Sequence, residues 1–180
     1  MTVVVVKNHK KFIEMVADSY YWCGSTFKDS VKNLPGVSSK ISVIDDIHVG
    51  FAGNVSTIQI FKNWLFQHKP YDCTERAFQD LMFDFKEYTI KKHLDVADRW
   101  MSAIFVYQGK CFVYQNEAVY ELLEGKYYAI GAGYQEATMC LFLGQSCLNA
   151  VKNTIKFNNF TGGKPDRVVI DKSKEVLSNG

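Results

Sequence analysis

The sequence predicts a layered α+β domain in which two sheets lie face to face and helices cover their outer sides. Three observations carry that expectation. Strand-like runs and helix-like periodicities come in blocks, in the order strands, helices, strands, helices and a last strand, instead of alternating one by one. Several strand runs are apolar throughout, as in Val3 to Val6, which is the pattern of strands buried on both faces. The 180 residues, 47% of them hydrophobic and only 3 of them proline, are apolar along their whole length and show no linker or internal repeat. Residues 1–180 therefore read as one domain with a sizeable core.

Taken in order, Val3 to Val6 and Phe12 to Ala17 flank the polar stretch Lys7 to Lys11 and predict a hairpin. Ser19 to Ser39 carries Tyr20, Tyr21 and Trp22 and then Gly24, Asp29, Pro35 and Gly36, the composition of a long functional loop. Lys40 to Ile44 and Ile47 to Phe51 surround Asp45 and Asp46 and predict a second hairpin, after which Gly53 opens a helix. That helix, from Val55 to Gln67, places Ile58, Phe61 and Leu65 on one face. The next begins near Asp72, with Glu75 as capping-box partner, and runs through Phe78, Leu81, Met82, Phe85 and Tyr88. Met101 to Tyr107 and Cys111 to Gln115 form a hairpin about Gly109, and Val119 to Leu122 and Tyr127 to Ile130 flank Glu124 and Gly125. Two helices follow, Gln135 to Leu143 and a second ending near Phe157, and Arg167 to Ile170 is the last strand.

Composition removes several function classes. With 21 Lys and Arg against 19 Asp and Glu, the net charge of +2 gives no field that would gather nucleic acid or acidic lipid. No run approaches the roughly 20 apolar residues of a membrane-spanning helix, and the first valines precede Lys7, Lys10 and Lys11, the reverse of a secretory signal. The cysteines (Cys23, Cys73, Cys111, Cys140 and Cys147) are odd in number and form no C-x-x-C pair, which fits free thiols in a reducing, cytoplasmic setting. Cys140 and Cys147 lie in apolar context and read as core residues. His9, His48, His68 and His93 are far apart and have no zinc spacing, so no metal site is expected. No nucleophile elbow or phosphate loop occurs, and Gly131-Ala132-Gly133 lacks the third glycine of a dinucleotide fingerprint.

The unusual residue is Thr2, at the head of a buried strand and exposed as an amino-terminal residue once Met1 is removed. An amino-terminal threonine carries both a nucleophile and a base: its hydroxyl attacks a carbonyl and its amine, which ordinarily titrates at about 7.7 to 8.0, accepts the proton. A fixed cation nearby would hold that amine neutral, and in a buried site the cation needs a carboxylate. Lys40 and Asp18, each at an apolar strand boundary, are the candidates. The oxyanion needs a backbone N–H, best supplied by a glycine at a strand-to-helix junction, and Gly53 fits.

These motifs, in this order, resemble the proteasome β-subunits and their bacterial two-ring homologue that works with a heat-shock AAA unfoldase. The resemblance rests on Thr2 and the valines after it, on Val16-Ala17-Asp18-Ser19, on Lys40-Ile41 with Gly50-Phe51-Ala52-Gly53, on Ile130-Gly131-Ala132-Gly133 and on Phe160-Thr161-Gly162-Gly163. It implies a four-layer αββα sandwich of the N-terminal nucleophile hydrolase class. Thr2 would be the nucleophile, Lys40 would tune it, Asp18 would orient Lys40 and Gly53 would form the oxyanion hole. It also implies a homo-oligomeric ring acting on protein or peptide substrates, with a AAA unfoldase as partner and no cofactor.

The chain departs from that pattern in four places. Ala132 stands where the family has a serine, Asn158 and Thr161 stand for its late aspartate and serine, and Trp22 occupies the place of a small hydroxyl residue that holds the substrate backbone. Phe51 either walls the specificity pocket or packs in the core. These departures motivate an alternative, a ring-forming scaffold or decoy without catalysis. A third reading is a small-molecule amidase of the same fold, with an open pocket and a small oligomer.

Overall fold

In the computed structural model, residues 2–21, 29–30, 39–94 and 101–175 are described. The four successive valines that open β1 (Val3–Asn8) are all fully buried, and the reason is the position of the strand. Beside it lie β2 (Phe12–Ala17) on one edge and β10 (Tyr127–Gly131) on the other, and β2 is bordered in turn by β11 (Asp166–Asp171), giving the antiparallel order β10-β1-β2-β11. Val4 and Val6 point to the second sheet, and Val3 and Val5 point to helices on the other side.

The second sheet is also antiparallel and has the order β5 (Ile41–Ile44), β6 (Ile47–Gly53), β7 (Met101–Tyr107), β8 (Lys110–Gln115) and β9 (Ala118–Glu121). An apolar cluster that includes Val4, Val6, Met15 and Ala17 from the first sheet and Ile41, Ala52, Ile104 and Val106 from the second joins the two. On the far side of the second sheet lie α1 (Val55–Leu65) and α2 (Glu75–Lys91), held by an aromatic core. Phe61 meets Phe85 edge-on at 4.8 Å and Phe78 stacks on Phe112 at 4.4 Å. Against the first sheet lie α3 (Tyr134–Phe142) and α4 (Cys147–Phe157), through a core of small residues among them Val3, Val5, Ala137, Cys147, Ala150 and Val151.

The α+β expectation and the block order of elements hold, with differences at the ends. Asn54, not Gly53, caps α1: its side chain accepts from the N–H groups of Ser56 and Thr57. Thr74, not Asp72, caps α2, and Glu75 accepts from the Glu121 N–H at 3.0 Å instead of closing a capping box. Asp72 accepts from Cys73 N–H in the preceding turn. The strands on either side of Glu124 and Gly125 do not pair, since β9 ends the five-stranded sheet and β10 crosses to β1 in the other. At the base of the long loop β3 (Tyr20–Tyr21) pairs with β4 (Asp29–Ser30), while Trp22 and Cys23 lie outside the described residues. A short α5 (Lys172–Glu175) follows β11. Among the described residues no helix is long and apolar enough to cross a membrane.

Candidate active site

Three of the predicted site residues sit one position outside a strand. Thr2 precedes β1, Asp18 follows β2 and Lys40 precedes β5. Because β1 and β2 are antiparallel neighbours with Val4 opposite Ala17, Thr2 and Asp18 meet at one end of the sheet, where Asp18 N–H donates to the Val3 carbonyl at 3.1 Å. Lys40 arrives at the same end from the second sheet.

Asp18 is the centre of the arrangement. Its Oδ1 accepts from the Thr2 hydroxyl at 2.7 Å, from Val3 N–H at 2.8 Å and from Lys40 Nζ at 2.7 Å, and its Oδ2 accepts from Gly162 N–H at 3.1 Å. The carboxylate is fully buried, Lys40 is 3% exposed and Thr2 5%. A buried carboxylate is tolerated only when its lone pairs are met, and here donors from four separate residues meet them. Burial pushes the Lys40 ammonium down from 10.5 to about 8, against the opposing attraction of Asp18. The result is a hydroxyl and a cation held on one carboxylate oxygen, out of contact with bulk water.

The sequence itself matches no family model and no curated protein. Solved structures do match. BPH of Thiobacillus denitrificans, in complex with epoxomicin, superimposes with a TM-score of 0.78 at 18% identity over 94% of this chain and 98% of that one. The eukaryotic HslV of Trypanosoma brucei gives 0.70 at 18% identity, over 94% and 99% of the two chains. Anbu, the ancestral β-subunit of Yersinia bercovieri, gives 0.73 at 14% identity, over 94% and 81%. The chain has the fold of BPH, HslV and Anbu. The likeness read from the ordered motifs is thus borne out at the level of the fold.

Within this HslV-like fold, Gly53 closes β6 two residues beyond Phe51, whose N–H donates to the Lys40 carbonyl at 3.0 Å. Its φ of 138° lies where a side chain would be strained, so glycine is required by the backbone itself. Opposite, the turn Gly131 to Gly133 cradles Thr2. Gly131 has φ 94°, a Cβ on it would collide with the Thr2 carbonyl, and Gly133 N–H donates to that carbonyl at 3.3 Å.

The remaining sequence candidates fall elsewhere. Ala132 belongs to the cradling turn and brings its carbonyl, which accepts from Asn158 Nδ2 at 3.5 Å. Thr161 is 2% exposed and gives its hydroxyl to the carbonyls of Thr154 and Asn158, so it braces the end of α4. Phe51 is 2% exposed and packs edge-on against Phe61 in the aromatic core. A cavity of about 630 Å³ does open beside the turn, lined by Gly131, Ala132, Met101, Ser102, Thr57 and Phe85 among others, and Phe51 takes no part in it. Cys147 packs in the core under α4, where burial raises its thiol to about 12, out of reach of a nucleophile's range.

Two supporting groups escaped the sequence reading as individuals. Gly162 supplies an N–H to Asp18 and its carbonyl to Ser19 N–H, and the Ser19 hydroxyl accepts from Lys164 N–H at 2.9 Å. Both stand inside motifs quoted for the resemblance, so their positions were visible and their contacts were not. Glu136, which accepts from Asn158 Nδ2 at 2.8 Å, belongs to no motif.

Proposed function

We propose that this chain is a threonine-type peptidase subunit of a proteasome-like ring, cutting peptide bonds through an acyl-enzyme on Thr2 once whatever precedes Thr2 has been removed. The observation that carries the reading is the buried cluster in which Thr2 Oγ1 and Lys40 Nζ share one oxygen of Asp18. In the reaction the freed amine of Thr2 takes the hydroxyl proton as Oγ1 bonds to the scissile carbonyl carbon. Lys40, cationic below about pH 8, favours the alkoxide and keeps the neighbouring amine neutral. The oxyanion is met by the Gly53 N–H, the tetrahedral intermediate collapses with cleavage of the C–N bond, and the proton passes from the Thr2 amine to the leaving nitrogen. Water, deprotonated by the same amine, then releases the acyl group.

Support for the assembly comes from the fold. On this reading α1 and α2, the two sheets, and α3 and α4 are the four layers of an αββα N-terminal nucleophile hydrolase, which the likeness in fold to HslV and Anbu supports. On this reading the chain forms a homo-oligomeric ring, takes unfolded protein or peptide as substrate and works with a AAA unfoldase. A second reading, a ring-forming subunit without catalysis, is favoured by a separate observation: Ala132 offers no hydroxyl beside Thr2, and the Thr161 hydroxyl is spent on two carbonyls.

Intact mass after treatment with an epoxyketone, which closes a ring on an amino-terminal threonine's amine and hydroxyl, separates the two. The peptidase reading expects Thr2 at the mature terminus and one adduct per chain, lost in Thr2→Ala. No adduct on correctly trimmed protein decides for the scaffold.

A further inference from the structure

Asn158 stands where the resembling family carries an aspartate, and its surroundings account for the change. Every polar group of the residue is engaged. Its N–H donates to Thr154 O at 2.8 Å at the end of α4, its Oδ1 accepts from Phe160 N–H at 2.9 Å, and its carbonyl accepts from Thr161 N–H and hydroxyl at 3.3 Å. The two hydrogens of Nδ2 go in two directions, to Glu136 Oε1 at 2.8 Å and to the Ala132 carbonyl at 3.5 Å. Asn158 thus clasps together two segments that both reach the nucleophile. One is Phe160 to Gly162, whose last N–H binds Asp18. The other is Ala132 to Gly133, whose N–H binds the Thr2 carbonyl.

An amide can be turned end for end, and only one of its two orientations does this job. A carboxylate at pH 7 accepts and never donates. Glu136, in the first turn of α3, therefore admits only the Nδ2 end of Asn158, the same orientation that gives Oδ1 to the Phe160 N–H and a hydrogen to the Ala132 carbonyl, and its contact is the shorter of the two made by Nδ2. An aspartate at 158 would put two carboxylates in contact and would have no donor for the Ala132 carbonyl.

We infer that Glu136 is a positioning residue for the Thr2 site, locking the Asn158 amide so that the turn beside the nucleophile is held at its productive distance. The inference rests on the peptidase reading for its effect on rate, while the contact itself is open to measurement without turnover. Glu136 is half-buried at the surface of α3, so its replacement leaves the buried core of the protein untouched.

Hydrogen exchange of the Gly133 amide, with peptide-hydrolysis kinetics on the assembled protein, tests it in wild type, Glu136→Ala, Glu136→Gln and Asn158→Asp. Glu136→Ala is expected to speed Gly133 exchange and lower kcat by about tenfold, the size set by loss of one charge-assisted hydrogen bond, with KM held. Glu136→Gln keeps an accepting oxygen and is expected to restore most of both. Asn158→Asp is expected to match or exceed the Ala variant. Unchanged Gly133 exchange in both Glu136→Ala and Asn158→Asp overturns the inference whatever the activity. A wild type that forms no Thr2 adduct fails the peptidase reading instead, and Gly133 exchange still decides whether Glu136 holds the turn.

Discussion

On one side of Thr2 the protein uses buried charge, Asp18 with Lys40 on the same oxygen, whereas on the other it uses main-chain groups, the turn Gly131 to Gly133 tied through Asn158 to the half-buried Glu136. The charged side is dry and over-determined, because neither Asp18 nor Lys40 can lose the other without leaving a buried ion unpaired, and Thr2, Val3 and Gly162 donate to the same carboxylate. The main-chain side is shaped by glycine geometry and by one amide whose orientation Glu136, Phe160 and Ala132 fix together. One flank thus sets the charge around Thr2 and the other its position, and substitutions on the two flanks should fail in different ways.

The largest difference should appear in stability. Asp18→Ala strands the buried Lys40 ammonium and is expected to cost about 3–5 kcal/mol in denaturant unfolding, whereas Asp18→Asn combined with Lys40→Met removes both charges and recovers most of that loss without recovering epoxyketone capture. If the single and double variants are equally unstable, the charged flank is not what the contacts make it. On the main-chain flank, Gly131→Ala meets both a φ of 94° and the Thr2 carbonyl, and is expected to destabilise by about 2 kcal/mol or more and to abolish capture by displacing Thr2. Capture at wild-type rate in that variant would show the turn to be passive. The smallest effect is in pH dependence. Lys40 is cationic below about pH 8 and neutral above it, so the rate of epoxyketone capture should fall on the alkaline side of about pH 8. Variants of Glu136 should lower that rate without moving the alkaline limb, and a limb that moves with Glu136 would merge the two flanks into one network.

Much of the charged flank was legible in the sequence, because strand boundaries advertise themselves. Thr2 adjoins an unbroken run of valines, Asp18 and Lys40 adjoin runs interrupted only by Glu14 and by Ser42, and a polar residue at the end of a buried strand is conspicuous. Gly53 was legible as a strand-to-helix glycine, although the cap proper is Asn54. The other flank was much less so. Nothing in the order of residues says that the Asn158 amide will reach back to Ala132 or that Glu136 will face it, since those meetings depend on how α3 packs on α4. Phe51 shows the limit from the other direction: it lies two residues from Gly53 in the chain, yet its ring packs edge-on against Phe61 in the aromatic core, while the next residue, Ala52, faces the first sheet. The capping of α2 was misplaced by two residues for a similar reason, as Asp72 and Thr74 are equally good caps and packing of the helix against β9 chooses between them.

The site is also ordered in time. The open edge of β2 is closed by β11, and the second oxygen of Asp18 is met by Gly162, a residue 144 positions further along the chain. While a ribosome is still making the protein, Asp18 and Thr2 have emerged long before Gly162 and β11 exist to complete their surroundings. The surroundings of Thr2 are therefore completed last in an order set by translation, and a nascent chain carries Thr2 and Asp18 through most of its synthesis without the groups that enclose them in the folded protein.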